Sequence, residues 1–171
     1  SAKHVLQGVS ADLFDPAGPL TRAQLITLIA RVTGLKPQVS TSAAFEDVPF
    51  EDVPDDAWYA EAVEAAYEAG IVQGKSPTAF APDDPVSREE AAAILIRTLI
   101  AVTGWTPPAA GEAFRDEDQI SVWALEAVQQ ARAAGLLRGR GDGTFDPGAV
   151  MTRAEGAQLI KNLLDILSDM N

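Results

Sequence analysis

The chain contains no cysteine and one histidine, and its 13 Lys and Arg residues are outnumbered by 25 Asp and Glu. Without thiols it has no disulfide framework, no thiolate nucleophile and no thiolate metal site. The lone His4 stands near the start, far from any pattern that imidazole catalysis would use. A net charge of −12 argues against nucleic acid, whose phosphates call for a basic face. No run of about 18 apolar residues occurs, so no segment reads as a transmembrane helix. No leader-like segment opens the chain, and Ser1-Ala2 read as residues left by processing.

What the chain does contain is repetition. Leu20-Thr21-Arg22-Ala23-Gln24, Val86-Ser87-Arg88-Glu89-Glu90 and Met151-Thr152-Arg153-Ala154-Glu155 share one pattern: apolar, hydroxyl, Arg, any residue, Glu or Gln. Each runs into an apolar segment of helical period, which reads as a capping box opening a helix. The hydroxyl accepts from the backbone N–H three residues on, and the acid or amide reaches back to the cap. The arginine is the odd member. A cation in the first turn opposes the positive end of the helix dipole, at a cost of about 0.3–1 kcal/mol. Two explanations stand. Free N–H groups, the dipole and the guanidinium converge on a bound carboxylate or phosphate, or each Arg pairs with an acid or carbonyl of a neighbouring repeat.

The copies align at an offset of 66 and then 65 residues, and Trp58 matches Trp123 at the second of these. At 171 residues the chain is long enough to bury about 68–70% of its unfolded surface. Phe50-Glu51-Asp52-Val53-Pro54 leads into a helix expected to begin near Trp58, with Asp55 or Asp56 as its cap. Trp58, Ala62, Val63, Ala66 and Ala69 form its apolar stripe, and Gly70 ends it. After a loop through Gly74, Lys75 and Phe80 comes the Ser87-capped helix, with Ala91, Ile94, Leu95, Thr98 and Leu99 inward and a stop at Gly104. The third copy follows suit, with Trp123, Ala127, Val128, Ala131 and Ala134, then Gly135, then a Gly-rich loop. The first copy begins in its loop at Gln7-Gly8 and lacks the Trp-bearing helix. Phe45-Glu46-Asp47-Val48-Pro49 nearly duplicates the Phe50 lead-in, and the second is read as the one in use.

Phe-x-Asp-Val-Pro, Trp, Gly-Ile-Val-x-Gly, Phe-x-Pro and Thr-Arg-Ala-Glu, in that order and repeated, resemble the S-layer homology module over nearly the whole chain. The resemblance implies an all-α, pseudo-threefold assembly with a central bundle, helix-loop-helix prongs and grooves between repeats. It divides the chain into a partial first repeat (1–34) and two full ones (45–104 and 113–171). It further implies binding of an acidic secondary cell wall polymer, often ending in pyruvylated N-acetylmannosamine, with no cofactor and no metal, outside a bacterial cell. Carried over position by position, the ligand-binding residues are Arg22, Arg88 and Arg153, with Thr21, Ser87 and Thr152 beside them. The loop glycines Gly8, Gly74 and Gly139, the aromatics Trp58 and Trp123, and Asp52 and Asp116 of the lead-in complete the set. Glu89, beside Arg88, is expected to weaken an anion site there. The half-missing first repeat is expected to leave the bundle one helix short, so that either another copy of the chain supplies the helix or the start has been trimmed and its surroundings have rearranged.

The remaining chemistry is thinner. Lys75, Arg138 and Arg140 place cations in the loops of a strongly acidic chain, either as a positive groove or as scattered surface charge. Trp58 and Trp123 read as packing residues with an exposed edge or as a sugar-stacking wall. Phe14, Phe80 and Phe145 read as loop anchors in the core. Asp142 alone falls short of the 6–8 oxygens that calcium takes. The expectation is a non-catalytic anchor at a bacterial surface, with a protein–protein assembly module of a surface layer as the alternative. Replacing Arg153 with alanine is expected to weaken binding without lowering stability.

Overall fold

The computed structural model describes residues 15–37, 50–108 and 112–170. Five α-helices carry the fold among them: α1 (Arg22–Thr33), α2 (Ala60–Glu68), α3 (Arg88–Thr103), α4 (Val122–Ala133) and α5 (Arg153–Asp169). A 3-10 turn at Glu117–Gln119 precedes α4. No strand forms among the described residues, only three isolated bridges. The chain is all-α, as expected.

Three of the helices, α1, α3 and α5, start at the repeated motif. Thr21 and Thr152 close full capping boxes, each hydroxyl accepting from the third helical N–H while Gln24 or Glu155 accepts from the cap N–H. In the middle copy Ser87 Oγ accepts from Glu90 N–H at 3.3 Å and donates to Glu90 Oε1 at 3.2 Å, which replaces the return bond. α2 and α4 start differently. α2 begins at Ala60 from Tyr59 with no side-chain cap, so Asp55 and Asp56 do not cap it. They lie in the turn that follows Pro54, solvated, where their carboxylates need no helix. At the other ends Gly34 and Gly104 adopt φ of 71° and 69°, the left-handed conformation that lets the last carbonyls find partners.

The apolar residue before each cap joins the three repeats. Leu20 N–H donates to Met151 C=O, Met151 N–H to Val86 C=O, and Val86 N–H to Leu20 C=O, all at 2.9 Å. These bonds close a ring around the centre of the molecule, and all three side chains are fully buried. The two residues following each cap extend the joint. Arg22 and Ala23 N–H donate to Asp84 and Pro82, Arg88 and Glu89 to Ala149 and Pro147, and Arg153 and Ala154 to Gly18 and Pro16. The starts of α1, α3 and α5 are therefore each closed by a loop of the next repeat in the cycle. The first N–H groups, orphans in an isolated helix, are all taken.

Packing crosses repeat boundaries in the same way. α1 packs on α2 and α3 on α4, so these two helices each take their partner from the following repeat. Val63, Ala66, Val128 and Ala131 supply small buried contacts there, and Ala91, Ile94, Leu95, Thr98 and Leu99 of α3 are all buried. Glu89 belongs to this seam. Its carboxylate accepts from Ser121 N–H at 2.8 Å and Ser121 Oγ–H at 2.7 Å, capping the approach to α4 instead of facing Arg88.

Candidate functional site

The lead-in aspartates shape the loops. Asp52 accepts from Phe80 and Ala81 N–H, and Asp116 from Phe145 and Asp146 N–H, every bond at 2.8 Å. Ala81 and Asp146 sit at φ of 61° and 63°, which non-glycine residues rarely adopt. One carboxylate with two backbone donors holds each loop through that turn. Burial pushes the Asp116 carboxyl up, but the bonds from Phe145 and Asp146 together outweigh it and hold the group below its ordinary range. Phe50 and Phe114 lie against Phe80 and Phe145 with ring centroids 5.5 and 5.1 Å apart, anchoring the loops in the core. Phe50 and Asp52 are thus the lead-in that engages the second repeat's loop; Phe45 lies outside the described residues, as do Phe14, Gly8 and His4.

The loop glycines serve close approach. A Cβ on Gly139 would stand 2.6 Å from the Phe114 ring and 2.7 Å from Thr144 O, and one on Gly74 would strike the Phe50 ring and the carbonyls of Ser76 and Ala79. Gly139→Ala is expected to cost about 1–3 kcal/mol as an overpacked substitution, read as a shift in the urea midpoint. An unchanged midpoint would show that the loop gives way freely.

The motif arginines choose between the two explanations that the sequence leaves open. Arg22 is 6% exposed and Arg88 4% exposed. Arg22 donates from Nε to Phe80 O (2.9 Å), from Nη1 to Glu90 Oε2 (2.8 Å) and from Nη2 to Gln73 O (3.1 Å). Arg88 repeats the set on Phe145 O (2.8 Å), Glu155 Oε2 (3.0 Å) and Arg138 O (2.8 Å). Each guanidinium also lies over the loop phenylalanine, 4.7 and 4.9 Å from the ring centroid. The Arg of one repeat and the Glu of the next are partners across the seam. Thr21, Ser87 and Thr152 are bonded into their own helices. The picture of free helix N–H groups and a free arginine fork gripping one anion is corrected on this geometry, because the N–H groups and three nitrogens of each fork already have acceptors. Arg153 faces the first repeat, where the position of Glu90 and Glu155 is held by neutral Gln24. Its Nη1 lies 3.9 Å from Asp15 Oδ2 instead.

A cleft of about 420 Å³ opens beside Arg22. Gln73, Gly74 and Lys75 of the second loop, Glu90, Ile94 and Arg97 of α3 and Trp123 at the start of α4 line it. Trp123 is 57% exposed and so is Trp58. The reading of these indoles as packing residues gives way to a wall, since Trp58 just before α2 and Trp123 in the first turn of α4 are both exposed beside a cleft. Lys75 Nζ stands 3.4 Å from Asp84 and 3.9 Å from Glu90, its side chain still partly exposed.

Two further clefts occupy related places. One of about 350 Å³ is lined by Arg88, Leu137, Arg138, Glu155, Gln158 and Asn162, with no aromatic wall. Another of about 280 Å³ is lined by Thr27, Arg31, Lys36, Trp58 and Glu61. Arg140 bridges Asp146 and Glu155 at 3.6 Å each, so its charge is shared within its own repeat. Arg97 and Arg31 are absent from the residues singled out by sequence. Their signal was available: both stand nine positions after the motif arginine, in register across the repeats. No cluster of three or more His, Asp or Glu able to hold a metal occurs among the described residues. No described helix is long and apolar enough to cross a membrane.

Comparison with known proteins places this geometry. The chain is 31% identical over 96% of its length to an exoglucanase of Acetivibrio thermocellus. It is 36% identical over 95% to an endoglucanase of a Bacillus species and 31% identical over 94% to a surface-layer 125 kDa protein of Lysinibacillus sphaericus. It spans only 15%, 16% and 13% of those relatives. The profile of the S-layer homology domain matches residues 49–92 and 113–157, more than half of the chain. With two matched repeats joined by the Arg88–Glu155 pair, the chain belongs to the S-layer homology domain family.

Proposed function

We propose that the chain is a non-catalytic module that holds a larger protein at the bacterial surface by binding an acidic, pyruvylated secondary cell wall polysaccharide in its inter-repeat grooves. Membership of the family carries the coarser part: S-layer homology domains attach surface proteins to the cell wall. The breadth of the relatives supports the reading, because the same stretch recurs in two glucanases and in a surface-layer protein and makes up only a small share of each.

The single observation that supports the groove is the open cleft with Trp123 on one side and Lys75 and Arg97 within it. An indole face stacks on the apolar face of a pyranose, while cations meet the ketal carboxylate. Arg22 sits at the base and uses three of its five N–H groups internally. Calorimetry with pyruvylated N-acetylmannosamine methyl glycoside and its unpyruvylated form tests the reading. The pyruvylated sugar is expected to bind at least tenfold tighter, and Trp123→Ala to weaken it about five- to tenfold. Equal affinities would reject the carboxylate's role.

A second reading, an assembly module of a surface layer, is favoured by one observation. Among the described helices α5 packs on α1, and none is laid along it as α4 is on α3. Leu164, Ile166 and Leu167 remain half-buried on its outer half. A second copy completing that pair would appear as a dimer in gel filtration without glycan; a monomer would reject it.

A further inference from the structure

The three clefts are not equivalent, and one of the differences lies at a single position of each motif-started helix. Nine residues after the motif arginine stand Arg31 on α1, Arg97 on α3 and Asn162 on α5. Six of the cleft's other positions keep their place in the fold, so Arg97 and Asn162 are compared at one fixed site. Asn162 is committed internally. Its Nδ2 donates to Leu136 O at 2.9 Å and its Oδ1 accepts from Gln158 Nε2 at 2.9 Å, so an amide chain fills the floor of the second cleft. Arg97 has no such partner: it is half-buried in the first cleft and makes no hydrogen bond or ion pair among the described residues. The other cations there are engaged, Arg22 with Glu90 and Lys75 with Asp84 and Glu90. A partly desolvated guanidinium without an acceptor gains most from a ligand that brings one.

We propose that Arg97 is the residue that selects the anionic sugar, making the cleft between the second-repeat loop and Trp123 the carboxylate site, while Asn162 leaves its counterpart over α5 without that selectivity. The inference rests on the glycan reading above and deepens it by naming the selecting group. The fork has two parallel donors free, which suits both oxygens of one carboxylate. Trp123 lines the same cleft, so a sugar stacked on the indole brings its substituents within reach of α3. The second cleft has a cation too, Arg138, but that residue is exposed on the loop and has no aromatic wall opposite.

The test uses the whole chain and the pyruvylated N-acetylmannosamine methyl glycoside, with the unpyruvylated sugar as comparison. Arg97→Gln is expected to weaken the pyruvylated sugar about 10- to 100-fold and leave the unpyruvylated one unchanged. Arg97→Lys is expected to restore part of the loss, since it keeps the charge without the fork. Arg138→Gln is expected to bind like the wild type. In amide spectra the three tryptophans give three indole N–H signals, and the one missing from Trp123→Phe is expected to move on titration. Undiminished discrimination by Arg97→Gln, a loss confined to Arg138→Gln, or a motionless Trp123 signal would each overturn the inference while the glycan reading stood. Equal binding of both sugars by the wild type would overturn both.

Discussion

Arg88→Ala is expected to lower the stability of the chain by about 3–5 kcal/mol, the range for removing one partner of a buried ion pair. The guanidinium has three acceptors from the third repeat, Phe145 O, Arg138 O and Glu155 Oε2, and is 4% exposed. Truncation to a methyl leaves two carbonyls and a carboxylate without those donors, in a place that water reaches poorly. It also empties the space over the Phe145 ring. Burial presses the Arg88 pKa down, Arg140 beside it adds to that, and Glu155 works against both, so the charge is held at a cost that the seam offsets. Arg88→Lys keeps a charge but cannot span three acceptors set around a planar fork, and is expected to recover less than half of the loss. Urea unfolding checks both. A loss below about 1 kcal/mol for Arg88→Ala would show that water replaces the guanidinium and that the seam is not held by it.

That outcome runs opposite to the expectation that follows from the helix dipole alone. The dipole argument weighs a cation at its own helix start, where it is unfavourable by at most about 1 kcal/mol. It does not see the acid arriving from the next repeat. Glu90 and Glu155 do two jobs, closing the cap of their own helix and pairing the arginine of the preceding one. Local spacing revealed the first job because capping is a matter of three residues. The second pairs side chains 68 and 67 positions apart, and only the closed ring through Leu20, Val86 and Met151 brings them together.

The same boundary between local and distant explains the rest of what was legible. The helix starts at Thr21, Ser87 and Thr152, the stops at Gly34 and Gly104, and the inward face of α3 follow from patterns within one turn or two. The start of α2 does not, because Tyr59 opens it without a cap and its position is set by packing on α1. Trp58 and Trp123 misled for a related reason. Both share the period of a buried stripe, yet they sit at or before the first helical turn, where the chain has not reached the partner helix. Arg97 was hidden by its surroundings in the sequence, an apolar helix in which one cation reads as a solvated position.

Asp116→Ala is the second large effect, expected at about 2–4 kcal/mol, since it strips charge-assisted bonds from the buried Phe145 N–H and the partly buried Asp146 N–H at once. The carboxylate accepts from Phe145 and Asp146, and Asp146 is held at φ of 63° by that grip. Asp116→Asn keeps the shape but turns one oxygen into a donor facing an N–H, and is expected to lose nearly as much. The pH dependence gives a readout that packing loss would not. The folded carboxyl titrates below its ordinary value of about 3.9. Between the two values the unfolded chain binds the proton and the folded one does not, so stability rises with pH there. The contribution is therefore fully present above about pH 4 and disappears as the pH falls through the folded value. Wild type should lose stability more steeply than Asp116→Asn across that acid window, and the two curves should converge at its lower end. Parallel curves would mean that the depressed titration of Asp116 does not stabilise the loop. The groove would feel the loss as well, because Arg88 takes its acceptors from Phe145 and Arg138 at either end of this loop. A loop released from Asp116 withdraws the carbonyls that position the arginine, and the seam between the last two repeats loosens from both sides.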